Sequence, residues 1–298
     1  MVPLHAPMRI VVLSQSIDLY STRRLVDAGR RAGHRISVVD YMQCHIGVAG
    51  PAPVSFQGGT YESLDAFIPR IGASATHFGV SLVRQLERMG KLTPATADAI
   101  TRSRDKILSL QSLEGAGIPV PATVYNRGPM VHPGELVRAV GGPPVVIKVL
   151  EGTQGIGVVL CETQSAAESS IEAFRNLSRG VLVQEFVEES AGSDLRCIVV
   201  GSRVVAAMRR QAKAGEFRSN LHRGGSAEPI KLSREEKDIA LKAAEAVGLR
   251  VAGVDILQSR RGPLVVEVNS SPGLEGIERA TRLDVAGSII RYVARMKR

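Results

Sequence analysis

Short β-branched runs alternate with amphipathic stretches along the whole chain, and their order predicts an α/β protein. "RIVVLSQ" reads as a strand, and "STRRLVDAGRRAG" has its apolar positions at helical spacing and stops at Gly33. "ISVVD" and "LDAFIPRIG" add two more strands, so the opening is a βαβ unit with a parallel sheet. "GVAGPAPVSFQGG" between them reads as loop. From Thr93, "TPATADAITRSRDKILSLQSLEGAG" predicts one long helix with a glycine stop. "IPVPATVY", a helix near Pro133 to Val140 and the strand "PPVVIKVL" follow. The stretch "EGTQGIG" then leads directly into the strand "VVLCE", a helix over "SAAESSIEAFRNLS" and the strand "VLVQEFVEE". In the last region "DLRCIVVG" and "RVVAAMRR" form strands about a tight Gly-Ser turn, followed by a basic loop. The helix "SREEKDIALKAAEAVG" carries a capping box, with Ser233 as N-cap and Glu236 three residues on. The strands "VAGVDILQ" and "GPLVVEVN" and a final amphipathic helix complete the chain. Three α/β regions result, at 1–96, 97–182 and 183–298. The first seven residues, "MVPLHAP", show no periodicity and are expected to be a disordered extension.

Composition narrows the class. At 298 residues, with 44% hydrophobic and 22% charged side chains, the chain can bury a sizeable core in one to three domains. No apolar run approaches the roughly 20 residues that span a bilayer, and the N-terminus lacks a signal pattern. A cytoplasmic protein with no membrane partner is expected. Cys44, Cys161 and Cys197 are scattered, which argues against a disulfide framework or a zinc site.

Charge is unevenly placed: the net charge is +9, and eight of those nine excess charges fall in the last 98 residues. Arg203, Arg209, Arg210, Lys213, Arg218 and Arg223 lie within 21 positions, against one acid, Glu216. Such a run is either a solvated face or an anion site. A basic nucleic-acid or ribosome-binding module would interleave aromatics with this charge. With 4% aromatics, none clustered there, direct sequence-specific nucleic-acid binding is not expected.

Candidate chemistry starts at "KVLEGTQGIGV". The glycine loop lies between two strands, whereas a dinucleotide fingerprint lies between strand and helix. A P-loop needs GxxxxGK[ST], and the nearest Gly-Lys pair is followed by Leu92. What remains is a glycine hairpin that either folds backbone N–H groups over a phosphate tail, with Lys148 beside it, or is an ordinary hairpin. A second constellation joins Asp255 in "VAGVDIL" to Glu267 and Asn269 in "PLVVEVN". Residues i and i+2 of a strand share a face, and the connection "QSRRG" suits a hairpin that sets Asp255 beside them. A carboxylate in an apolar strand needs a cation, either an Arg or Lys or a metal. Two carboxylates and an amide oxygen favour Mg²⁺ or Mn²⁺ shared with phosphates. In "EFRSNLHRGG", the guanidinium forks of Arg218 and Arg223 and the Asn220 amide suit carboxylate or phosphoryl oxygens. "QEF", with Gln184 and Glu185 at a strand end, offers acceptors to an adenine amine and ribose hydroxyls.

The order "RDK", Lys148, "EGTQGIGVVL", "QEF", Asp194, "FRSNLHRGG", "VAGVDIL", "VEVNSSPGLEGIE" is far more specific than any member. It resembles the ATP-grasp superfamily, and within it the RimK-type α-L-glutamate ligases, from Met8 to the C-terminal helix. One departure is "MRRQ" at 208–211, where the family pattern sets an acid beside the basic residues, which bears on Arg209 more than on Arg210. The resemblance implies an ATP-grasp fold, two α/β lobes clasping ATP, after a Rossmann-like pre-ATP-grasp domain. Lys106 and Lys148 would meet phosphates, and the loop with Gly152, Gly155 and Gly157 would close over them. Gln184, Glu185 and Phe186 would meet adenine, Asp194 the ribose, and Arg218, Ser219 and Asn220 the nucleotide phosphates. Asp255, Glu267 and Asn269 would hold two Mg²⁺ or Mn²⁺ per subunit.

The implied reaction passes through an acyl phosphate, with Lys148, Arg210 and Arg218 stabilising its charge. L-glutamate would join the acidic C-terminus of a small-subunit ribosomal protein, and the enzyme would be a homo-oligomer, a tetramer. The alternative within enzymes is another ATP-grasp carboxylate–amine ligase, acting on a cofactor tail or making free polyglutamate.

Overall fold

A computed structural model of the chain describes residues 6–297 except 50–53, 58, 62, 129, 150–156, 178–179, 214 and 220–223. Most of the expected N-terminal extension lies outside the described residues, as do Gly152, Gly155 and Asn220. The chain opens with β1 (Arg9–Leu13), α1 (Tyr20–Arg31) and β2 (Arg35–Val39). The stretch expected as loop instead contributes a small antiparallel sheet of β3 (His45–Ile46), β4 (Val54–Phe56) and β5 (Gly59–Thr60). Its strands are too short for a two-residue period to show against the surrounding Gly and Pro. With β6 (Ala66–Pro69), the first region forms the expected parallel sheet in the order β2-β1-β6, followed by α2 (Thr76–Arg88).

The long helix expected from Thr93 is two helices, α3 (Ala97–Arg104) and α4 (Lys106–Gly115). Asp105 stands between them in extended backbone, its carboxylate accepting from the N–H groups of Ile107 and Leu108 at 2.9 and 3.0 Å. An aspartate that caps a new helix offers the backbone an alternative to continuing the old one, and Asp105 takes it. Lys106 therefore opens a helix instead of lying inside one.

The middle region holds β7 (Thr123–Asn126), α5 (Pro133–Ala139), β8 (Val145–Val149), β9 (Val158–Cys161), α6 (Gln164–Leu177) and β10 (Val181–Glu185). Its strands form an antiparallel sheet in the order β7-β10-β8-β9. The last region holds β11 (Ser193–Val200), β12 (Arg203–Gln211), β13 (Ser226–Pro229), α7 (Arg234–Val247), β14 (Val251–Ser259) and β15 (Gly262–Asn269). These strands form a second antiparallel sheet, β13-β12-β11-β14-β15. The expected five-residue connection between the last two strands is shorter: pairing runs to Ser259 opposite Gly262, leaving Arg260 and Arg261 as the turn. The final helix is again two, α8 (Glu275–Thr281) and α9 (Val285–Arg295), with Asp284 capping the second at Gly287 N–H.

Three apolar cores hold these layers. One face of the C-terminal sheet (Leu195, Cys197, Val254, Val265, Val268) packs with α7, with Ile100 and Leu113 of α3 and α4, and with Val11, Phe67 and Leu82 of the first region. Part of its other face (Ile198, Ala206, Met208) packs with α8 and α9 and the opposite side of the parallel sheet. The middle sheet has a separate core, Val145, Ile147, Val181 and Val183 against α5 and α6. The three cysteines are buried and free, as expected.

Candidate active site

The alternation of side chains along antiparallel strands builds the site. On the C-terminal sheet, the face that carries Ile198 and Met208 at one end turns polar at the other. It presents Asp194 and Arg196 from β11, Arg210 from β12, Asp255 from β14, and Glu267 and Asn269 from β15. Register fixes the neighbours: Asp194 is opposite Arg210, Arg196 opposite Asp255, and Asp255 opposite Glu267. A bulge after Asp255 precedes the realigned Ile256–Val265 pair. Gly253 lets the chain beyond β15 approach, since a Cβ there would stand 2.8 Å from Pro272.

These charges form a buried chain. Arg196 grips Asp255 with both ends of its fork, Nε to Oδ1 at 2.7 Å and Nη2 to Oδ2 at 2.5 Å. Arg210 reaches the same Oδ2 at 3.0 Å and pairs through Nε and Nη2 with both oxygens of Asp194. Burial opposes ionisation of Asp255, but Arg196 and Arg210 outweigh it and hold its carboxyl below the usual range. Burial likewise disfavours the charge on Arg210, and Asp255 with Asp194 more than restores it. Glu267 is exposed on the same face, and the amide nitrogen of Asn269 is buried without a hydrogen-bond partner among the described residues.

The middle sheet supplies the facing surface. Val145, Ile147, Val181 and Val183 point into its core, so Lys148 and Gln184 point out of it. Lys148 Nζ donates to Gln184 Oε1 at 2.7 Å, and Gln184 Nε2 donates to Thr123 Oγ1 at 2.7 Å, which fixes the ammonium in place. Burial pushes the Lys148 pKa down to about 8; the charge of Glu267 opposes the shift and that of Lys106 adds to it. Lys148 on the middle sheet is thus within electrostatic reach of Lys106 at the start of α4 and of Glu267 on the C-terminal sheet. Next to β9, Gly157 sits at φ +72°, where a Cβ would collide with Val149, so glycine is required at the base of the loop. Arg218 Nη1 donates to the carbonyl of Val158 at 3.4 Å.

A pinned amine on one sheet and a hard-oxygen face on another invite comparison with known proteins. The profile of the RimK-like ATP-grasp domain matches residues 103–293, and that of the RimK pre-ATP-grasp domain matches residues 8–100. The chain belongs to the RimK-like ATP-grasp family. Proteins named probable alpha-L-glutamate ligase from Picosynechococcus sp. and Azotobacter vinelandii are 55% and 56% identical over 287 residues, spanning 96% of this chain and 95% of theirs. Among solved structures, a RimK domain ATP-grasp protein from Sphaerobacter thermophilus is 26% identical, with TM-score 0.69 over 96% of this chain and 99% of its own. The ATP-grasp ligase PsnB, solved with a phosphomimetic variant of a minimal precursor, Mg and ADP, is 21% identical. It superposes with TM-score 0.75 over 99% of this chain and 100% of its own, which shows a shared fold. As a RimK-like ATP-grasp protein the chain is an ATP-dependent ligase, and the expected fold, with its preceding domain, is the one it has.

Within this ATP-grasp cleft the expected residues fall into distinct groups. Asp194, Arg210, Asp255, Glu267 and Asn269 share one face of the C-terminal sheet, Lys148 and Gln184 project from the middle sheet, and Lys106 opens α4. Glu185 is held at the cleft rim, accepting from Ala122 N–H at 2.7 Å and Arg261 Nη2 at 2.6 Å. Phe186 meets Phe217 edge-on, ring centres 6.4 Å apart, and the Arg218 guanidinium stacks 5.3 Å above Phe217. Arg218 also pairs with Glu216, whose carboxyl it draws down to about 2; Ser219 beside it is buried. The basic run 203–223 is not one patch: strand alternation buries Arg210 toward the cleft and turns Arg209 the other way, to Glu228 and Gln258. Sequence reasoning passed over Arg196 and Phe217. Arg196 was signalled by its place two residues after Asp194, on the same face of a strand.

Proposed function

We propose that the chain is an α-L-glutamate ligase that activates a carboxylate with ATP and couples it to the amine of L-glutamate. The observation that carries this reading is the convergence of Lys148, pinned by Gln184, and the Asp255–Glu267–Asn269 face on one cleft lined by Arg196 and Arg210. The 55% identical relatives named probable alpha-L-glutamate ligase support glutamate as the amine. The acceptor we infer is the acidic C-terminus of a small-subunit ribosomal protein, as the family resemblance implies.

The residues fit a hard divalent cation. Glu267 is exposed without an ion pair among the described residues, and Asn269, two residues on along the same face, brings an amide oxygen as a further hard donor. Asp255 shares its oxygens with two guanidiniums. Asp255, Glu267 and Asn269 would hold the ion, which when bound neutralises and orients the phosphate oxygens.

In the first step an acceptor carboxylate oxygen forms a bond to the γ-phosphorus as the bond to the ADP oxygen breaks, giving an acyl phosphate and ADP. The glutamate amine then attacks the acyl carbon, phosphate leaves with the bonding pair, and the ammonium proton passes to solvent. No protein nucleophile takes part. Lys148 and Lys106 hold the transferred phosphoryl group, and the guanidiniums of Arg196 and Arg210 face the developing oxyanion. ADP release measured by a coupled assay is expected to require both glutamate and a carboxylate acceptor and to cease on chelation. ADP release indifferent to both would reject the ligase reading.

A further inference from the structure

Two arginines near the cleft have no part in the mechanism above. Arg70 follows β6 directly, at the carboxyl end of the parallel sheet, with its N–H on Leu13 carbonyl at 2.9 Å. Open parallel sheets receive ligands at that end. Arg104, the last residue of α3, reaches toward it, Nη2 donating to the carbonyl of Ile71 at 2.6 Å. Its Nε is buried without an acceptor, and neither guanidinium has an ion-pair partner among the described residues. Tyr41 next to them is fully buried, and its oxygen accepts from Gly72 N–H at 3.0 Å. Two unpaired guanidiniums side by side in a half-buried setting are unfavourable until an anion joins them. Burial, and then the charge of Arg104, push Arg70 down to about 10. α3, which ends at Arg104, and α4, which opens at Lys106, both pack against β15, the strand that carries Glu267, so this pair stands beside the cleft.

We propose that Arg70 and Arg104 form a subsite that binds a carboxylate of the ligase's glutamyl substrates. This rests on the ligase reading. In the proposed reaction the phosphates are met by Lys148 and Lys106, and planar guanidinium forks match a carboxylate in two-pronged fashion. The carboxylate belongs either to the incoming glutamate or to the acceptor tail.

Arg70→Ala and Arg104→Ala are each expected to raise the KM for one of these substrates at least about tenfold, the loss of a charge-assisted pair, with the ATP KM within about twofold. A rise confined to glutamate assigns the subsite to the incoming amino acid, and one confined to the acceptor peptide assigns it to the tail. Unchanged KM values for both, or an ATP KM that rises in step, overturn the inference. Arg70→Lys, which keeps charge and loses the fork, is expected to fall between, and thermal melting checks that each variant folds. Calorimetric binding of L-glutamate and of an acidic peptide with ADP and Mg²⁺ separates this inference from the reading beneath it. Wild-type protein that makes no amide refutes the ligase reading. Binding lost in Arg70→Ala still supports the subsite, while binding absent from wild type or equal in the variant overturns it.

Discussion

Lys148 is charged or neutral according to what shares its cleft. Burial brings its pKa down to about 8 from an ordinary 10.5, so near pH 8 about half the nucleotide-free protein lacks that charge. The signs for folding and for binding differ. Between about 8 and 10.5 the unfolded chain binds more protons than the folded one, so the cost of burying this ammonium shrinks as pH rises. Phosphate binding favours the ammonium, so ATP affinity is highest below pH 8 and is lost above it. Calorimetric titration of ADP with Mg²⁺ from pH 7 to 9.5 is expected to show Kd rising above about pH 8, and Lys148→Arg is expected to flatten that rise. A Kd in wild type that does not change with pH would remove Lys148 from the phosphate site. Asp255 runs opposite: held low by Arg196 and Arg210, it contributes stability above the usual carboxylate range and loses it as pH falls through its lowered pKa. The set Asp255, Glu267 and Asn269 was legible because strand period alone puts i and i+2 on one face. That Asp255 would also be gripped by two arginines was not, because pairing order between β11 and β14 is a long-range property.

Helix breaks and strand alternation decide where the lysines and arginines arrive. Asp105 turns one expected helix into two and sets Lys106 in the first turn of α4, where it faces Lys148 instead of lying along a solvent-exposed side. Asp105→Ala removes a cap worth about 1 kcal/mol, so a melting temperature lower by about 2 °C is expected. The ATP KM is expected to rise with it, since Lys106 loses its defined start. A lower melting temperature with unaltered KM would make the break purely structural. The capping box on α7 was readable from Ser233 and Glu236, because both of its hydrogen bonds are local. The single residue at Asp105 that ends α3 was not, since its neighbours keep helical spacing on both sides. The small β3–β5 sheet escaped for the same reason in reverse: its stability lies in packing against α2, not in any pattern of its own.

Taken together, the sheets divide by which core they share. The parallel sheet and the C-terminal sheet are joined by two common cores and by Arg24 and Tyr20 on Glu278, at 2.7 and 3.0 Å. The middle sheet keeps a core of its own. One wall is thus continuous, carrying Asp255, Glu267, Asn269 and Arg70, and one is separately packed, carrying Lys148 and Gln184. The α/β class and most of the strands along the chain followed from the alternation of apolar runs, whereas β3–β5 and β13 fell in stretches expected as loop. The way the first region shares cores with the last did not, because amphipathic faces do not name their partners. Intact mass spectrometry tests the ligase claim most directly, on small-subunit ribosomal proteins incubated with the protein, ATP, Mg²⁺ and L-glutamate. The expected result is one acceptor gaining mass in glutamate-sized steps, with one ADP per step and no gain when either ATP or glutamate is omitted. ADP accumulating with no acceptor or free peptide gaining mass would contradict it.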